Sequence, residues 1–433
     1  MIEELTGRIA GRFTRVEPRR RARALLLGLL SDLPDKNCWT ISEHVGDDTP
    51  DGMQHLLRSA VWDAEKVRDD LRDYVTEHLG DTGAVLIVDD TGDLKKGVHT
   101  VGVQRQYTGT AGRIENAQVA VYLTYATDAG HAFIDRALYL PKSWTTEPGR
   151  RADAGIPATT GFATKPALAR TMIGRALDAG VQAGWVAADE VYGADPTLRT
   201  DLEQRGIGYV LAIGRDRRVT IPAGRVRADG VAARLPKHAW QRLSAGAGAK
   251  GHRYYDWAFA DIDTDEPNGH RWLLIRRNRT TGELAFYRCY SPQPAPLRIL
   301  VHVAGRRWTV EESFQTGKGL TGLDQHQVRR WTSWHRWTVM AMLAHAFLAV
   351  VASTERNPEP AAVGWISLTC KEIHHLFATL ISRPVLDIAH RIRRSKWRRR
   401  HQHRARQIHY PATIHPRTMT ITNYDWSTSV ALA

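Results

Sequence analysis

Acidic residues follow two short apolar runs of this sequence, and they are the side chains most capable of chemistry. Asp89 and Asp90 come directly after the run 84–88, and Asp189 comes directly after the run 185–188. Short apolar runs bounded by turn residues predict buried strands. A carboxylate at the end of a buried strand is costly unless a cation or hydrogen bonds stabilise it. The two strand ends therefore indicate a site for a hard cation.

A third acid, Glu311, lies on a predicted helix in the segment 307–312. Carboxylates from two strand ends and one helix can bind a pair of divalent cations, an arrangement that drives in-line phosphoryl transfer. Each acid taken alone has a simpler interpretation as a turn former or a helix cap. The occurrence of all three in this order of elements favours the metal site.

Each of the two runs is followed by a pair of acidic residues, Asp89-Asp90 and Asp189-Glu190. The residue of each pair that would bind the cation has to be identified. Successive residues of a strand face opposite ways, and we expect only one of Asp89 and Asp90 to point into the site unless the strand has ended. In the second pair, we expect Glu190 to be a solvated neighbour of Asp189. Asp89 stays open as the alternative to Asp90.

The elements that must position these acids change in character along the chain. Residues 1–80 have helical spacing, with basic and polar side chains that could dock on DNA, although a plain helical bundle explains them nearly as well. Two β-rich runs, 117–124 and 132–140, follow the first acidic strand. A helix over 165–180, the strand 185–188, a helix over 196–205 and a strand over 209–213 come next. This order resembles a ribonuclease-H-like α/β core.

A tryptophan-containing β-rich stretch interrupts that core before the helix of Glu311. Within it, the segments 271–276 and 284–290 predict a hairpin. The sequence therefore predicts an α/β protein, a ribonuclease-H-like mixed sheet flanked by helices. The expected domains are a helical N-terminal DNA-binding domain (1–80), the first part of the catalytic core (81–214), a β-rich insertion (215–295), the completion of the core (296–353) and a helical, basic C-terminal region (354–433).

Charge and composition limit the possible partners. The chain has 60 Lys and Arg against 46 Asp and Glu, a formal charge of +14 that favours a polyanion, nucleic acid before a membrane surface. A merely basic protein is the alternative. Three widely spaced cysteines provide no zinc module or disulfide framework and suit a reducing compartment. The apolar stretch 339–351 is shorter than a bilayer span and predicts a buried helix. We expect a cytoplasmic protein without a membrane partner.

Several motifs resemble those of the DDE transposases of bacterial insertion sequences, in the branch with a β-rich insertion between the second Asp and the Glu. They include Val88-Asp89-Asp90-Thr91-Gly92, the segment 102–109, the segment 138–141 and Ala188-Asp189-Glu190-Val191-Tyr192-Gly193. That branch has a Tyr-x-x-Arg-x-x-x-Glu-x-x-x-x-x-x-Lys signature, which reads here as Ala304, Arg307, Glu311 and Lys318. Ala304 departs from it, so DNA hairpin formation is not assumed.

The resemblance implies a cut-and-paste DNA transposase with catalytic residues Asp90, Asp189 and Glu311. These would hold two Mg²⁺ ions, which Mn²⁺ can replace, with Asp89 as the alternative first ligand. Family members place Thr or Ser after the first acid, which favours Asp90. The implied partners are double-stranded DNA, as terminal inverted repeats and target, and a second copy of the chain in a synaptic homodimer. The implied location is the bacterial nucleoid.

Two basic features are candidate DNA contacts. If one helix carries the signature, Arg307, Glu311 and Lys318 form a strip at the margin of its buried face, and Glu312 faces solvent. The apolar residues expected on the buried side are Ile299, Val303, Val310 and Phe314. An ion pair between Arg307 and Glu311 is the alternative interpretation.

The second feature is the segment 391–406, with nine Lys and Arg in sixteen residues. Its density suits phosphate contacts, and a solvated tail is the alternative. The residues we expect to contact DNA in this segment are Arg394, Lys396, Arg398, Arg399 and Arg400.

Two other functions fit the same residues. A nuclease or junction resolvase on the same core would hydrolyse DNA without joining strands. A domesticated DNA-binding protein would keep the fold without chemistry, although three intact acids argue against it.

Overall fold

The computed structural model describes residues 1–248, 251–263, 268–356, 367–382 and 387–409. Residues 1–385 form one compact unit, and the chain from residue 386 onward forms a second. The N-terminal region is helical, as predicted. Its helices are α1 (Ile2–Ala10), α2 (Val16–Leu29), α3 (Cys38–His44), α4 (Asp51–Arg58) and α5 (Ala64–Leu79).

Strands and helices then alternate. The antiparallel part of the core comprises β1 (Val85–Leu94), β2 (Gln104–Thr108), β3 (Arg113–Ala126) and β4 (His131–Leu138). It is followed by α6 (Lys142–Thr146), α7 (Pro148–Ala154), α8 (Lys165–Asp178), β5 (Trp185–Ala188), α9 (Glu190–Gly193), α10 (Pro196–Gln204) and β6 (Gly208–Ile213).

The strand order in this half of the sheet is β4-β3-β1-β5-β6. β1 and β3 are antiparallel, as are β3 and β4, whereas β5 is parallel to both β1 and β6. Three antiparallel strands followed by two parallel ones in this order form a ribonuclease-H-like core. The predicted α/β fold class is therefore confirmed.

One strand boundary was predicted wrongly. We expected the first acidic strand to end at Val88, but β1 continues to Leu94 because residues 89–94 pair with residues 117–122 of β3. Asp89 and Asp90 consequently lie inside a strand and not after it.

The β-rich insertion extends the same sheet. It contains β7 (Arg218–Ile221), β8 (Gly224–Arg227), α11 (Ala228–Ala232), β9 (Gln241–Gly248), β10 (Gly251–Asp261), β11 (His270–Arg277) and β12 (Leu284–Ser291). β11 and β12 form the predicted hairpin, and β12 pairs antiparallel with β6. β7 and β8 form a separate two-stranded sheet.

The far end of the insertion returns to the core. Among the helices that follow, α12 (Leu297–Arg306) lies against β9 and β10. Its Gly305 packs so closely on Ala245 of β9 that a Cβ there would lie 2.1 Å from the Ala245 carbonyl oxygen. Arg253 of β10 donates a hydrogen bond to the Gly305 carbonyl at 3.3 Å. The outer strands thus support the C-terminal end of α12.

The remaining helices are α13 (Thr309–Thr321), α14 (Trp331–Arg356), α15 (Cys370–Leu380) and α16 (Ile388–His409). α14 is long and apolar enough to cross a membrane, but 89% of its apolar window is buried inside the protein. The prediction of a buried helix over 339–351 is confirmed. α16 is the described part of the second unit.

The N-terminal helices share their core with the sheet. Leu29 of α2 and Val67 of α5 belong to the same apolar cluster as Leu86 of β1 and Met340 of α14. Arg336 of α14, which is buried, donates hydrogen bonds to the carbonyls of Leu56, Ala60 and Trp62. Because one core spans both regions, the helices around 1–80 provide a rigid support for the sheet.

Candidate active site

The two acidic strand ends meet beside each other at the centre of the sheet. Val88 of β1 is in register with Ala188 of β5, so Asp89 and Asp189 are the next residues along two parallel neighbours. β5 ends there, and Asp189 caps α9 by accepting hydrogen bonds from the backbone N–H groups of Val191 and Tyr192 at 2.9 and 3.5 Å. The helix-cap interpretation of Asp189 is therefore correct, and it coexists with the position of this acid near the other carboxylates. Glu190 is exposed, as expected.

Asp89 and Asp90 contact different helices but both interact with Asp189. Burial and the nearby Asp189 raise the pKa of Asp89 to about 7, although Arg307 opposes the shift. Burial also raises the pKa of Asp189, and Asp90 adds to the increase. The choice between Asp89 and Asp90 as the first ligand stays a prediction, because Asp189 interacts electrostatically with both.

Each acid of the first pair has a cationic partner. Nη1 of Arg307, the residue that ends α12, lies 3.2 Å from Oδ2 of Asp89. Nζ of Lys165, at the start of α8, lies 2.7 Å from Oδ2 of Asp90. Tyr192 donates its hydroxyl to the other oxygen of Asp90 at 3.1 Å. Lys165 and Tyr192 were missed in the sequence, since nothing in their spacing shows that they reach Asp90.

The predicted single helix across the signature is in fact two helices. α12 ends at Arg306 and α13 begins at Thr309, and the junction is closed by shorter-range hydrogen bonds from the N–H of Trp308 to the Gly305 carbonyl and from Val310 to Arg307. Ile299 is exposed, contrary to our expectation, whereas Val303, Val310 and Phe314 are buried as predicted.

The two basic residues of the signature, Arg307 and Lys318, both contact β1. Arg307 contacts Asp89, and Nζ of Lys318 lies 3.2 Å from the Gly92 carbonyl oxygen and 3.3 Å from Oδ1 of Asp93. Glu311, four residues after Arg307 and on α13, is exposed. Among the described residues, Arg307 pairs with Asp89 and not with Glu311, so the alternative i,i+4 ion pair is absent.

Glu312 was expected in solvent, and 45% of its side chain is accessible. Its carboxylate lies 3.4 Å from Nε2 of His131, and this contact lowers the pKa of Glu312.

A buried charged group beside Lys318 also escaped the sequence analysis. Asp93 contacts Lys318 on one side and His326 on the other, the latter at 3.4 Å. Burial raises the pKa of Asp93, but contacts with His326 and Lys318 outweigh burial, so the net shift is downward. Lys95 joins the group by donating to the His326 carbonyl at 3.1 Å. Lys318 is therefore held in place by a fixed negative charge.

The donor set suits a hard divalent cation. Asp89, Asp90 and Asp189 provide carboxylate oxygens, and the raised pKa values of Asp89 and Asp189 reflect burial and mutual repulsion that a bound cation would relieve. In the described parts of the chain, no three His, Cys, Asp or Glu residues lie close enough to surround one ion. Glu311 lies on α13 and not on the sheet.

The basic C-terminal segment forms α16. Arg394 is buried, with its guanidinium over the Trp397 ring at 5.2 Å. The other predicted contacts are exposed side chains along the helix, namely Lys396, Arg398, Arg399 and Arg400.

The chain is similar to known proteins in sequence. A family model described as DDE superfamily endonuclease matches residues 8–257. A probable transposase for insertion sequence element IS701 from Microchaete diplosiphon is 32% identical over 199 residues, which cover 46% of this chain and 49% of the relative. The chain therefore spans about half the length of the curated relative it matches.

Two solved structures are also similar at low identity. A piggyBac transposase synaptic complex with hairpin DNA has a TM-score of 0.44 at 12% identity, covering 88% of this chain and 76% of that one. The NurA nuclease from Sulfolobus solfataricus has a TM-score of 0.25 at 10% identity, covering 56% of this chain and 80% of that one. Because the family model spans more than half of the sequence and includes both acidic strand ends, the chain belongs to the DDE superfamily endonucleases.

Proposed function

We propose that this protein is a DNA transposase of a bacterial insertion sequence, which cuts the element ends and joins the freed 3′-hydroxyls to target DNA. The observation that carries the proposal is the proximity of Asp89 and Asp90, inside β1, to Asp189, just past the end of the neighbouring β5, next to Arg307. The relative from Microchaete diplosiphon, a probable transposase, supports the same function.

The catalytic residues in this proposal are Asp90, Asp189 and Glu311, with Asp89 as the alternative first ligand. They would hold two Mg²⁺ or Mn²⁺ ions, which when bound activate the attacking water or hydroxyl and stabilise the leaving oxygen. Arg307 and Lys318 would bind the phosphates of the cut strand on either side of Glu311. Tyr192 orients Asp90 through its hydroxyl.

The DNA partners are proposed on the same basis. Terminal inverted repeats and target DNA would be bound by the N-terminal helices and by α16, and two copies of the chain would pair the two ends in a synaptic homodimer. A net charge of +14 gives the long-range attraction to DNA that such binding needs. The protein would act in the bacterial cytoplasm at the nucleoid.

The test uses a plasmid that carries both terminal repeats, which are read from the DNA flanking the gene. Asp90→Asn, Asp189→Asn and Glu311→Gln should each abolish Mg²⁺-dependent cleavage while leaving DNA binding within a few-fold, because affinity comes mainly from phosphate contacts. Glu312→Gln, one residue from Glu311, is the matched control and should cut normally. Asp89→Asn identifies the first ligand: activity in this variant together with inactivity of Asp90→Asn supports Asp90.

The remaining outcomes separate the competing functions. Near-normal cleavage by any of the three variants removes that residue from the site. Cleavage without joining of pre-cleaved ends would identify a nuclease or resolvase, and absence of nicking by the wild-type protein with Mg²⁺ and Mn²⁺ would leave a DNA-binding protein.

A further inference from the structure

A cavity of about 590 Å³ lies between the N-terminal helices and the start of α14, apart from the acidic site. Trp39 of α3 and Trp337 of α14 contribute aromatic surface to its lining. The Trp337 ring is fixed, because it is buried and its Nε1–H donates to the Gly322 carbonyl at 3.0 Å. The volume falls within the range of small-molecule sites, roughly 300 to 1,000 Å³.

All charged residues that line the cavity are basic. Arg58, Arg329 and Arg330 line the cavity and are exposed, and its lining contains no acidic residue. Within the described parts of the chain, none of these three guanidinium groups takes part in an ion pair. Amide side chains, including that of Gln54, complete the wall. An anionic ligand with a flat, hydrogen-bonding part fits this combination.

The cavity is joined to the acidic site by one short segment. His326, at one end of it, contacts Asp93 beside Lys318. Arg329, three residues later, lines the cavity, and its carbonyl accepts a hydrogen bond from the N–H of Val101 at 3.0 Å. The segment 326–330 therefore connects the charged group around Lys318 with the lining of the cavity.

We propose that this cavity binds one nucleotide of a single-stranded stretch of DNA, with its phosphate against the arginines and its base against Trp39. The inference rests on the proposed action on DNA and adds a binding site to it. A site that bound only a phosphate group would need only the arginines. The aromatic and amide groups indicate a base, because stacking and edge hydrogen bonds are the means by which proteins bind unpaired bases.

The test measures binding of a fluorescent 15-nucleotide single strand to the full chain in EDTA, where no cleavage occurs. Trp39→Leu should weaken binding about fivefold or more, since stacking contributes roughly 1–3 kcal/mol per base, and should leave the salt dependence unchanged. Arg58→Gln combined with Arg330→Gln should weaken binding and make the salt slope shallower by about 0.7 for each phosphate that is no longer neutralised.

The matched control is Arg217→Gln with Arg218→Gln, an equal charge change at exposed positions of the insertion. It should bind with an affinity close to that of the wild type. Deoxyadenosine monophosphate at millimolar concentration should displace the oligonucleotide from the wild-type protein. It should displace less of the oligonucleotide from the Trp39→Leu variant. Unfolding temperatures of all variants are compared, so that a folding defect is recognised, and the arginine pair tests the site independently of Trp39.

Two results would overturn the inference in distinguishable ways. Unchanged affinity and salt slope in the folded pocket variants would exclude the nucleotide site and leave the proposed transposase function intact. Failure of the wild-type protein to bind any single- or double-stranded DNA would contradict the proposed function as well.

Discussion

The ammonium group of Lys165 lies 2.7 Å from Oδ2 of Asp90, so an internal cation neutralises one acid of the candidate site. The pair is partly shielded from solvent, with 25% of the lysine side chain and 17% of the aspartate side chain accessible. A divalent cation bound at Asp90 would therefore compete with Lys165 for the same carboxylate.

Replacing Lys165 with Met should make the site bind divalent cations more tightly. Without the ammonium group, no internal cation competes for Asp90, and opposite charges attract strongly in a partly buried site. The concentration of Ca²⁺ or Mn²⁺ that half-maximally raises the unfolding temperature should fall several-fold. Lys96→Met, an exposed lysine near the end of β1, is the control. An equal or greater cation requirement in Lys165→Met would contradict this competition.

Gly193 fixes the short helix that follows Asp189. A Cβ at this position would lie 1.9 Å from the Ala212 carbonyl oxygen of β6, so a methyl group must displace the backbone. We expect Gly193→Ala to lower the free energy of unfolding by about 1–3 kcal/mol, the usual cost of overpacking, and to slow cleavage by shifting Asp189. Urea denaturation and cleavage rates measure both effects.

Gly109→Ala provides the comparison for that variant, since a Cβ at Gly109 would meet nothing within 4 Å. It should change neither quantity appreciably. Equal stability of the two variants would show that β6 yields at Ala212 and that the close approach does not constrain α9.

His345 of α14 should make the protein sensitive to acid. Burial lowers its pKa from 6.5 to about 3, and its Nδ1 has no hydrogen-bond partner in the described residues. Between pH 6.5 and pH 3 the unfolded chain takes up a proton at this histidine and the folded protein does not. Stability therefore falls as the pH is lowered through this range, by up to about 1.4 kcal/mol per pH unit.

His345→Leu should remove this part of the pH dependence, because leucine carries no titratable group. Urea unfolding at about pH 7, 6 and 5 gives the slope of stability against pH for the variant and the wild type. His375→Gln, at an exposed position of α15, controls for the loss of a histidine. A slope in His345→Leu that equals the wild-type slope would show that this residue does not contribute to acid sensitivity.

The exposed basic residues of α16 should bind phosphates. Changing four of them to Gln should weaken binding to duplex DNA and make the salt slope shallower by about 0.9 for each phosphate that is no longer neutralised, because fewer counterions are released. The four are Lys396, Arg398, Arg399 and Arg400. Filter binding or anisotropy between about 50 and 200 mM salt measures the slope.

Four exposed arginines of the insertion offer an equal change in charge for comparison: Arg217, Arg218, Arg225 and Arg234. Their replacement should lower affinity less and leave the slope nearly unchanged. If both sets of substitutions alter the slope equally, α16 contributes only to the general charge of the protein.

Local sequence was sufficient to predict the elements whose residues are mostly buried. The strand 185–188 and the hairpin of β11 and β12 were predicted because apolar runs between turn residues leave few alternatives. β2 was missed because its residues, Gln104–Thr108, are mostly polar and exposed and show no apolar alternation. Its position depends on pairing with β3, which local spacing does not reveal.

The residues of the candidate site also differ in whether local sequence could reveal them. The acids were found because a carboxylate after a buried run is unusual, whereas Lys165 and Tyr192 become visible only when α8 and α9 pack beside β1. The break between α12 and α13 also depends on tertiary structure, since Gly305 must fit against Ala245 of β9, a residue 60 positions earlier.

The packing of Gly305 on the outermost strands limits how the insertion can change in evolution. Arg307 lies two residues after Gly305, where β9 and β10 of the insertion pack against α12. The outer strands therefore help to fix the position of a residue that contacts Asp89. An insertion of this kind is not an exchangeable module. Relatives that gained or lost strands at its far edge would also have to adjust the residues after α12, and the length of the insertion and the sequence around Arg307 should therefore evolve together.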